Sequence, residues 1–189
     1  AERIARHVKV PLSVDMERGY SGDPAEVVKH IEQLHDIGVV GINLEDSVVA
    51  DGRALAPVDE FRRKLEFIRN QLSKKNMAVF INARTDTFLL NVPDRLNETF
   101  TRIKAYEAAG ADGIFVPFIR ELSDIKQVTG ATALPVNVLS MPDLPSFAAL
   151  QEAGVRRISM GGSVYKSVIS HLKKAIYEIS SNGSFTSVF

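Results

Sequence analysis

The chain has no cysteine among its 189 residues, which excludes disulfides, thiolate-bound metals and a cysteine nucleophile together. It has no excess charge of either sign, because 23 Lys and Arg face 23 Asp and Glu. No basic field therefore exists to hold nucleic acid or an anionic membrane surface, and small-molecule partners are expected. No apolar run approaches the roughly 20 residues that span a bilayer. The N-terminus also lacks the charged-then-apolar pattern of a secretory signal, so a cytoplasmic location is the expectation. No G-x-G-x-x-G follows a strand, which argues against a dinucleotide fold. No low-complexity linker divides the chain, and its length suits one core, a single domain over residues 1–189. The sequence opens on Ala1 in AERIARHVKVPLSV, which reads as a helix end running into a strand, so an N-terminally incomplete domain is expected.

What the sequence does contain is alternation. Six β-rich runs, VPLSVD, VVGINLE, MAVFINAR, DGIFVPF, LPVNVLS and VRRISMG, are mostly followed by a turn and a segment of helical period. Asp23 and Pro24 form an N-cap and first-turn proline ahead of the stripe Val27, Ile31, Leu34, which Gly38 closes. Phe61, Leu65, Ile68 and Leu72 repeat the spacing, as do Leu96, Phe100 and Ile103 before Gly110, and Val164, Val168, Leu172, Ala175 and Ile179 near the end. Each stripe is expected to face a sheet. The junctions IGVVGI, AGADGI and AGVRRI resemble one another, as a repeated βα unit requires.

The runs read as continuously apolar, so both faces of the sheet should be covered, which implies parallel strands. An open doubly wound sheet and part of a (β/α)8 barrel both satisfy that pattern. Polar residues at the strand ends favour the barrel: Asp15 and Glu17, Glu45 and Asp46, Arg84 and Asp86, Asn137, and Ser159 before MGGS. An open sheet would spread them along a line, whereas a barrel gathers them around one mouth. Asp15, Glu17 and Glu45 can there share a hard divalent cation through oxygen ligands or ordered water, with magnesium the natural candidate. Helix capping or pairing with Lys and Arg is the competing reading of each acid alone. Arg84 offers a planar bidentate donor to an oxyanion, or else a salt bridge to Asp86. Asn137 is a substrate donor or a satisfied amide.

The motifs VDMERGYSGDP, INLEDS, FINARTDTFL and GADGIFVPF, in this order and spacing, resemble the isocitrate lyase/phosphoenolpyruvate mutase superfamily. Its phosphonomutase-like branch, of carboxyvinyl-carboxyphosphonate phosphorylmutase type, is the nearest in pattern. The resemblance implies an α/β fold of (β/α)8 TIM-barrel type, with six of the eight βα units in this chain. It implies Mg2+ bound directly by Asp15, with Glu17 and Glu45 acting through its water shell. Arg84 would hold a substrate carboxylate or phosphonate and act in catalysis with Glu45, while Tyr20 and Asn137 would contact substrate. It further implies a homo-oligomer, dimer or tetramer, that exchanges a C-terminal helix. Departures narrow the match. SVVADGRALAPVDEF stands where lyases carry a cysteine loop, Phe118 follows Pro117 where they carry glutamate, and Ser21 interrupts the Gly-Tyr-Gly turn.

The functional expectation is a magnesium-dependent lyase or phosphonomutase that makes or breaks a C–C or P–C bond next to a 2-oxo or enol carboxylate. Substrates of oxaloacetate, phosphonopyruvate or substituted-malate type offer the same chelating head group. The alternative is a noncatalytic oxo-acid binding protein on the same barrel, since no general acid or base is identifiable. His7, His30, His35 and His171 all lie away from strand ends and read as surface or packing residues.

Overall fold

A computed structural model describes residues 1–49 and 52–189. A short helix α1 (Glu2–Ala5) leads into β1 (Leu12–Asp15), α2 (Pro24–Asp36) and β2 (Val39–Glu45). A hairpin of β3 (Ser47–Val49) and β4 (Arg53–Leu55) precedes α3 (Val58–Lys74) and β5 (Phe80–Arg84). Then follow α4 (Arg95–Ala108), β6 (Gly113–Val116), α5 (Leu122–Gly130), β7 (Val136–Leu139), α6 (Phe147–Glu152), β8 (Val155–Ser159) and α7 (Ser163–Asn182).

Six strands make one parallel sheet in the order β1-β2-β5-β6-β7-β8, so each strand pairs with the next of its kind in the chain. Five strand spacings of about 4.8 Å would hold the outer strands about 24 Å apart in a flat sheet. Instead, Arg157 of β8 donates to Ser13 of β1 at 3.2 Å. The sheet therefore curls until its two edges nearly meet, forming a partial TIM barrel whose edges β1 and β8 stay unpaired.

Local chemistry accounts for the elements. Asp23 caps α2 through a 2.9 Å bond from the Ala25 amide, and Pro24 occupies the first turn, where no N–H is needed. The glycines of the three similar junctions, Gly38, Gly110 and Gly154, all adopt left-handed φ values of 92°, 90° and 88°. A side chain is disfavoured there, which explains the recurring glycine. Val27, Ile31, Leu65, Ile68, Leu72 and Ile103 are buried, as their stripes imply, against Ile42, Leu44, Ile81, Ile114 and Val136 on the outside of the sheet.

The inside of the curl differs from the continuously apolar strands expected from the sequence. Alternate residues point inward, and these include Ser13, Asp15, Asn43, Asn82, Asn137 and Ser159. They satisfy one another: Asn82 donates to Asn43 at 2.9 Å and Asn137 to Ser159 at 2.9 Å. The last stripe also departs from expectation. No residue of α7 is buried, and Val164, Val168 and Leu172 are more than half exposed. Among the described residues this helix buries no face against the sheet.

Candidate active site

The turn after β1 carries the first acidic pair. Glu17, Gly19 and Tyr20 all take positive φ, at 50°, 94° and 58°, so this segment holds its shape only because its surroundings fasten it. The Glu17 amide donates to the Asp15 carboxylate at 3.0 Å, and the Glu45 amide donates to the Glu17 carbonyl at 2.8 Å. From α3, Lys64 donates to the carbonyls of Arg18 and Ser21 at 2.5 and 2.9 Å. Burial, with a smaller push from Arg18, lowers the Lys64 pKa to about 8.

Asp15 and Arg84 line one cavity of about 570 Å³ at the C-terminal ends of the strands, together with Asn43, Phe115, Arg157 and Ser159. Arg84 stacks its guanidinium 5.7 Å from the Phe115 ring centre. The other predicted residues lie elsewhere. Glu17 is exposed on the turn and outside the cavity lining. Tyr20 donates to the Asp15 carbonyl at 3.2 Å, but its ring meets His30 edge-on and lines a separate cleft with Val14, Met16 and Leu34. Asn137 is buried beneath the cavity, where it bonds to Ser159. Among the described residues no group of three Asp, Glu or His side chains gathers into a metal cluster. The expected convergence of Asp15, Glu17 and Glu45 is thus not preformed: the turn directs Glu17 outward, and Glu45 is engaged by arginines.

The adjacent residues Glu45 and Asp46 part company because the pleat sends them to opposite faces. Asp46 points outward and is fully buried beneath α4, where it accepts from Arg102 at 2.9 Å, from Tyr106 at 2.7 Å and from the Asp86 amide at 3.0 Å. Glu45 points inward into a ring of four charges. Arg84 reaches Glu45 at 3.2 Å and grips Asp86 with two bonds of 2.7 and 3.2 Å. Arg53 closes the ring, 2.8 Å from Asp86 and 3.2 Å from Glu45. Ser47 adds a 2.9 Å bond to Glu45. Burial raises the Glu45 pKa, opposed by Arg84, by the Ser47 bond and by Arg53. Burial also pulls on the Arg84 pKa, but the bonds to Asp86 and the charges of Asp86, Glu45 and Asp15 outweigh it and leave it raised. Arg84 is a permanent cation.

Sequence reasoning did not single out Arg53, Arg157 or Asn43. Arg53 lies in the segment that departs from the superfamily pattern, and that departure was the available signal. Arg157 and Asn43 face inward only because of strand parity and curl.

The family described as phosphoenolpyruvate phosphomutase matches residues 1–180. An uncharacterized protein of Mycobacterium tuberculosis (strain ATCC 25618 / H37Rv) is 33% identical over 168 residues, covering 87% of this chain and 61% of that one. An oxaloacetate decarboxylase of Marinomonas sp. (strain MWYL1) is 29% identical over 185 residues, covering 94% of this chain. The chain spans 61% of the length of both curated relatives. A crystal structure from Burkholderia cenocepacia J2315, of a protein proposed to be a phosphonomutase, superposes with a TM-score of 0.86 at 37% identity, over 97% of this chain and 73% of that one.

Proposed function

Because the chain belongs to the phosphoenolpyruvate phosphomutase family, we propose that it supplies the site of a magnesium-dependent lyase or phosphonomutase acting on a C–C or P–C bond beside a 2-oxo or enol carboxylate. The observation that carries this reading is the placement of the Asp15 carboxylate and the Arg84 guanidinium on one cavity at the mouth of the curl. Breaking such a bond leaves an enolate, whose charge needs a cation at the oxygen terminus.

The donor set fits magnesium, which takes oxygen ligands, commonly one or two carboxylates, and keeps several waters. Asp15 is exposed on the cavity wall with Asn43 as its register partner, and every candidate donor is an oxygen. Asp15 would hold the ion directly, and Glu45 and Glu17 would join through its water shell only by turning from the arginines and the solvent they face without the ion. When bound, the ion supplies Lewis acidity to the oxo and carboxylate oxygens. Arg84 has five N–H donors and spends two on Asp86, with its Nη1 in ion-pair contact with Glu45 at 3.2 Å. The remaining N–H groups are left to clamp a carboxylate or phosphonate. Because Asp86 grips it from behind, Arg84 meets developing charge without first reorganising.

Tracking pyruvate or oxo-acid release from oxaloacetate, phosphonopyruvate and substituted malates, with and without magnesium, tests the proposal. Turnover should require the ion, and Asp15→Ala should abolish it, since the change removes a rim ligand and opens no core cavity. Full activity of Asp15→Ala at limiting magnesium would overturn the assignment. One observation favours a second reading, a noncatalytic oxo-acid binding protein: no histidine, lysine or tyrosine is among the residues lining the cavity. That reading prevails if the panel binds with magnesium and nothing turns over. We also propose a homo-oligomer with α7 at its interface, supported by the exposed apolar stripe on that helix.

A further inference from the structure

The ring around Glu45 contains a side chain to which neither the family pattern nor the proposed chemistry assigns a task. Arg53 comes from β4 of the hairpin, and its side chain is 35% exposed, while the acidic side chains it meets, Glu45 and Asp86, are 5% and 0% exposed. Its two Nη atoms serve different acids, one at 2.8 Å from Asp86 and the other at 3.2 Å from Glu45. Arg84 spans the same two acids from the other side. Without Arg53, two buried carboxylates would share one guanidinium. Their like charges repel, and Arg84 would be drawn between them, away from the cavity. With Arg53 in place the four charges sum to zero, and Arg84 keeps its orientation.

The hairpin is built to deliver this contact. Its strands pair antiparallel from Ser47↔Leu55 to Val49↔Arg53. Its base is pinned where the Ala56 amide donates to the Asp46 carbonyl at 2.8 Å and Arg102 donates to the Ala56 carbonyl at 3.0 Å. Ser47, at the start of the hairpin, bonds Glu45 as well. A lysine at position 53 would keep the charge, but a single ammonium lacks the planar fork that reaches both acids.

We propose that Arg53 is a positioning residue that holds Glu45 and Asp86 in the arrangement that aims Arg84 into the cavity. The catalytic part of this inference rests on the function proposed above; the geometric part does not. The test uses the full-length protein with Arg53→Met, Arg53→Lys and, as a control on the same hairpin, Val49→Thr, whose side chain is exposed. Hydrogen exchange of the Arg84 Nε–H, followed by NMR of 15N-arginine-labelled protein, reads whether its bond to Asp86, which fixes the orientation, persists. It should quicken at least about tenfold in Arg53→Met, less in Arg53→Lys, and not at all in Val49→Thr. In turnover, a misplacement of about 1 Å can cost about 100-fold. Arg53→Met should therefore lower kcat by about 10- to 100-fold with KM changed by less than about threefold, and Arg53→Lys should recover part of the loss. Unchanged exchange in Arg53→Met, or faster exchange with unchanged kcat, overturns the proposal. If Arg53→Met does not fold, Arg53→Lys carries the same two readouts against the control. If the unmodified protein turns over nothing, the functional reading fails by itself, and the exchange measurement alone decides the role of Arg53.

Discussion

Replacing Asp46 with alanine should cost the fold about 3–5 kcal/mol, the range for removing one member of a buried ion pair. The Asp46 carboxylate is fully buried and accepts from Arg102, Tyr106 and the Asp86 amide. Its removal takes a buried counter-charge from Arg102, whose side chain is itself only 5% exposed. Arg102 keeps Glu98 at 2.7 Å and the Ala56 carbonyl at 3.0 Å, which holds the loss near the lower end of that range. The Tyr106 hydroxyl, fully buried, loses one of its two partners, and an unsatisfied buried group costs about 1–3 kcal/mol. These costs overlap within one network and do not add. Against a typical total stability of about 5–15 kcal/mol, the variant keeps a narrow margin. Urea unfolding followed by circular dichroism measures it, and an unchanged m-value certifies that the comparison concerns stability alone. The paired change Asp46→Leu with Arg102→Met should recover only part of the loss, because it leaves no charge buried without a partner but takes both partners from the Tyr106 hydroxyl. A loss below about 1 kcal/mol in Asp46→Ala would refute the reasoning, since it would mean that the network is worth no more than an exposed pair.

Three further outcomes are expected. Gly19→Ala should destabilise by at least about 2 kcal/mol in urea unfolding, because backbone strain combines with a Cβ placed 2.7 Å from both Cγ atoms of Val27. Gly38→Ala, at φ +92° but with nothing within 4 Å, should cost only the strain of about 1–2 kcal/mol, and equal losses would dismiss the clash. Lys64 has a folded pKa lowered to about 8 from 10.5, so between those values the unfolded chain binds the extra proton and stability should rise with pH. The slope has a ceiling of about 1.4 kcal/mol per unit, approached only where Lys64 is protonated in the unfolded chain and neutral in the fold. Measured relative to Lys64→Met, a stability difference that is flat across that window contradicts the shift. Light scattering on the full-length protein should show an oligomer in the micromolar range that Leu172→Asp with Ile176→Asp reduces to a smaller species, and a clean monomer would leave α7 without its proposed role.

Sequence alone determined the order of the six sheet strands, the capping of α2, the buried stripes of α2, α3 and α4, and the placement of Asp15, Glu45 and Arg84 at strand ends. These are local properties: periodicity, an N-cap, and glycines at left-handed φ act within a turn or two of the chain. Only the tertiary structure decided which of those strand-end groups face one another. Glu45 and Asp46 are neighbours in sequence, yet one turns into a charge ring and the other under α4, because strand parity acquires a meaning only once the sheet has a core side. Asn137 passed from the cavity to a support beneath it, and Tyr20 turned to His30, because the curl and a positive-φ turn set their directions. Arg53 and Asp86 are 33 residues apart and meet through a hairpin whose pairing no local pattern announced. The stripe of α7 was legible as a pattern, but among the described residues no residue of that helix is buried, and an apolar face states that it is suited to burial and not against what.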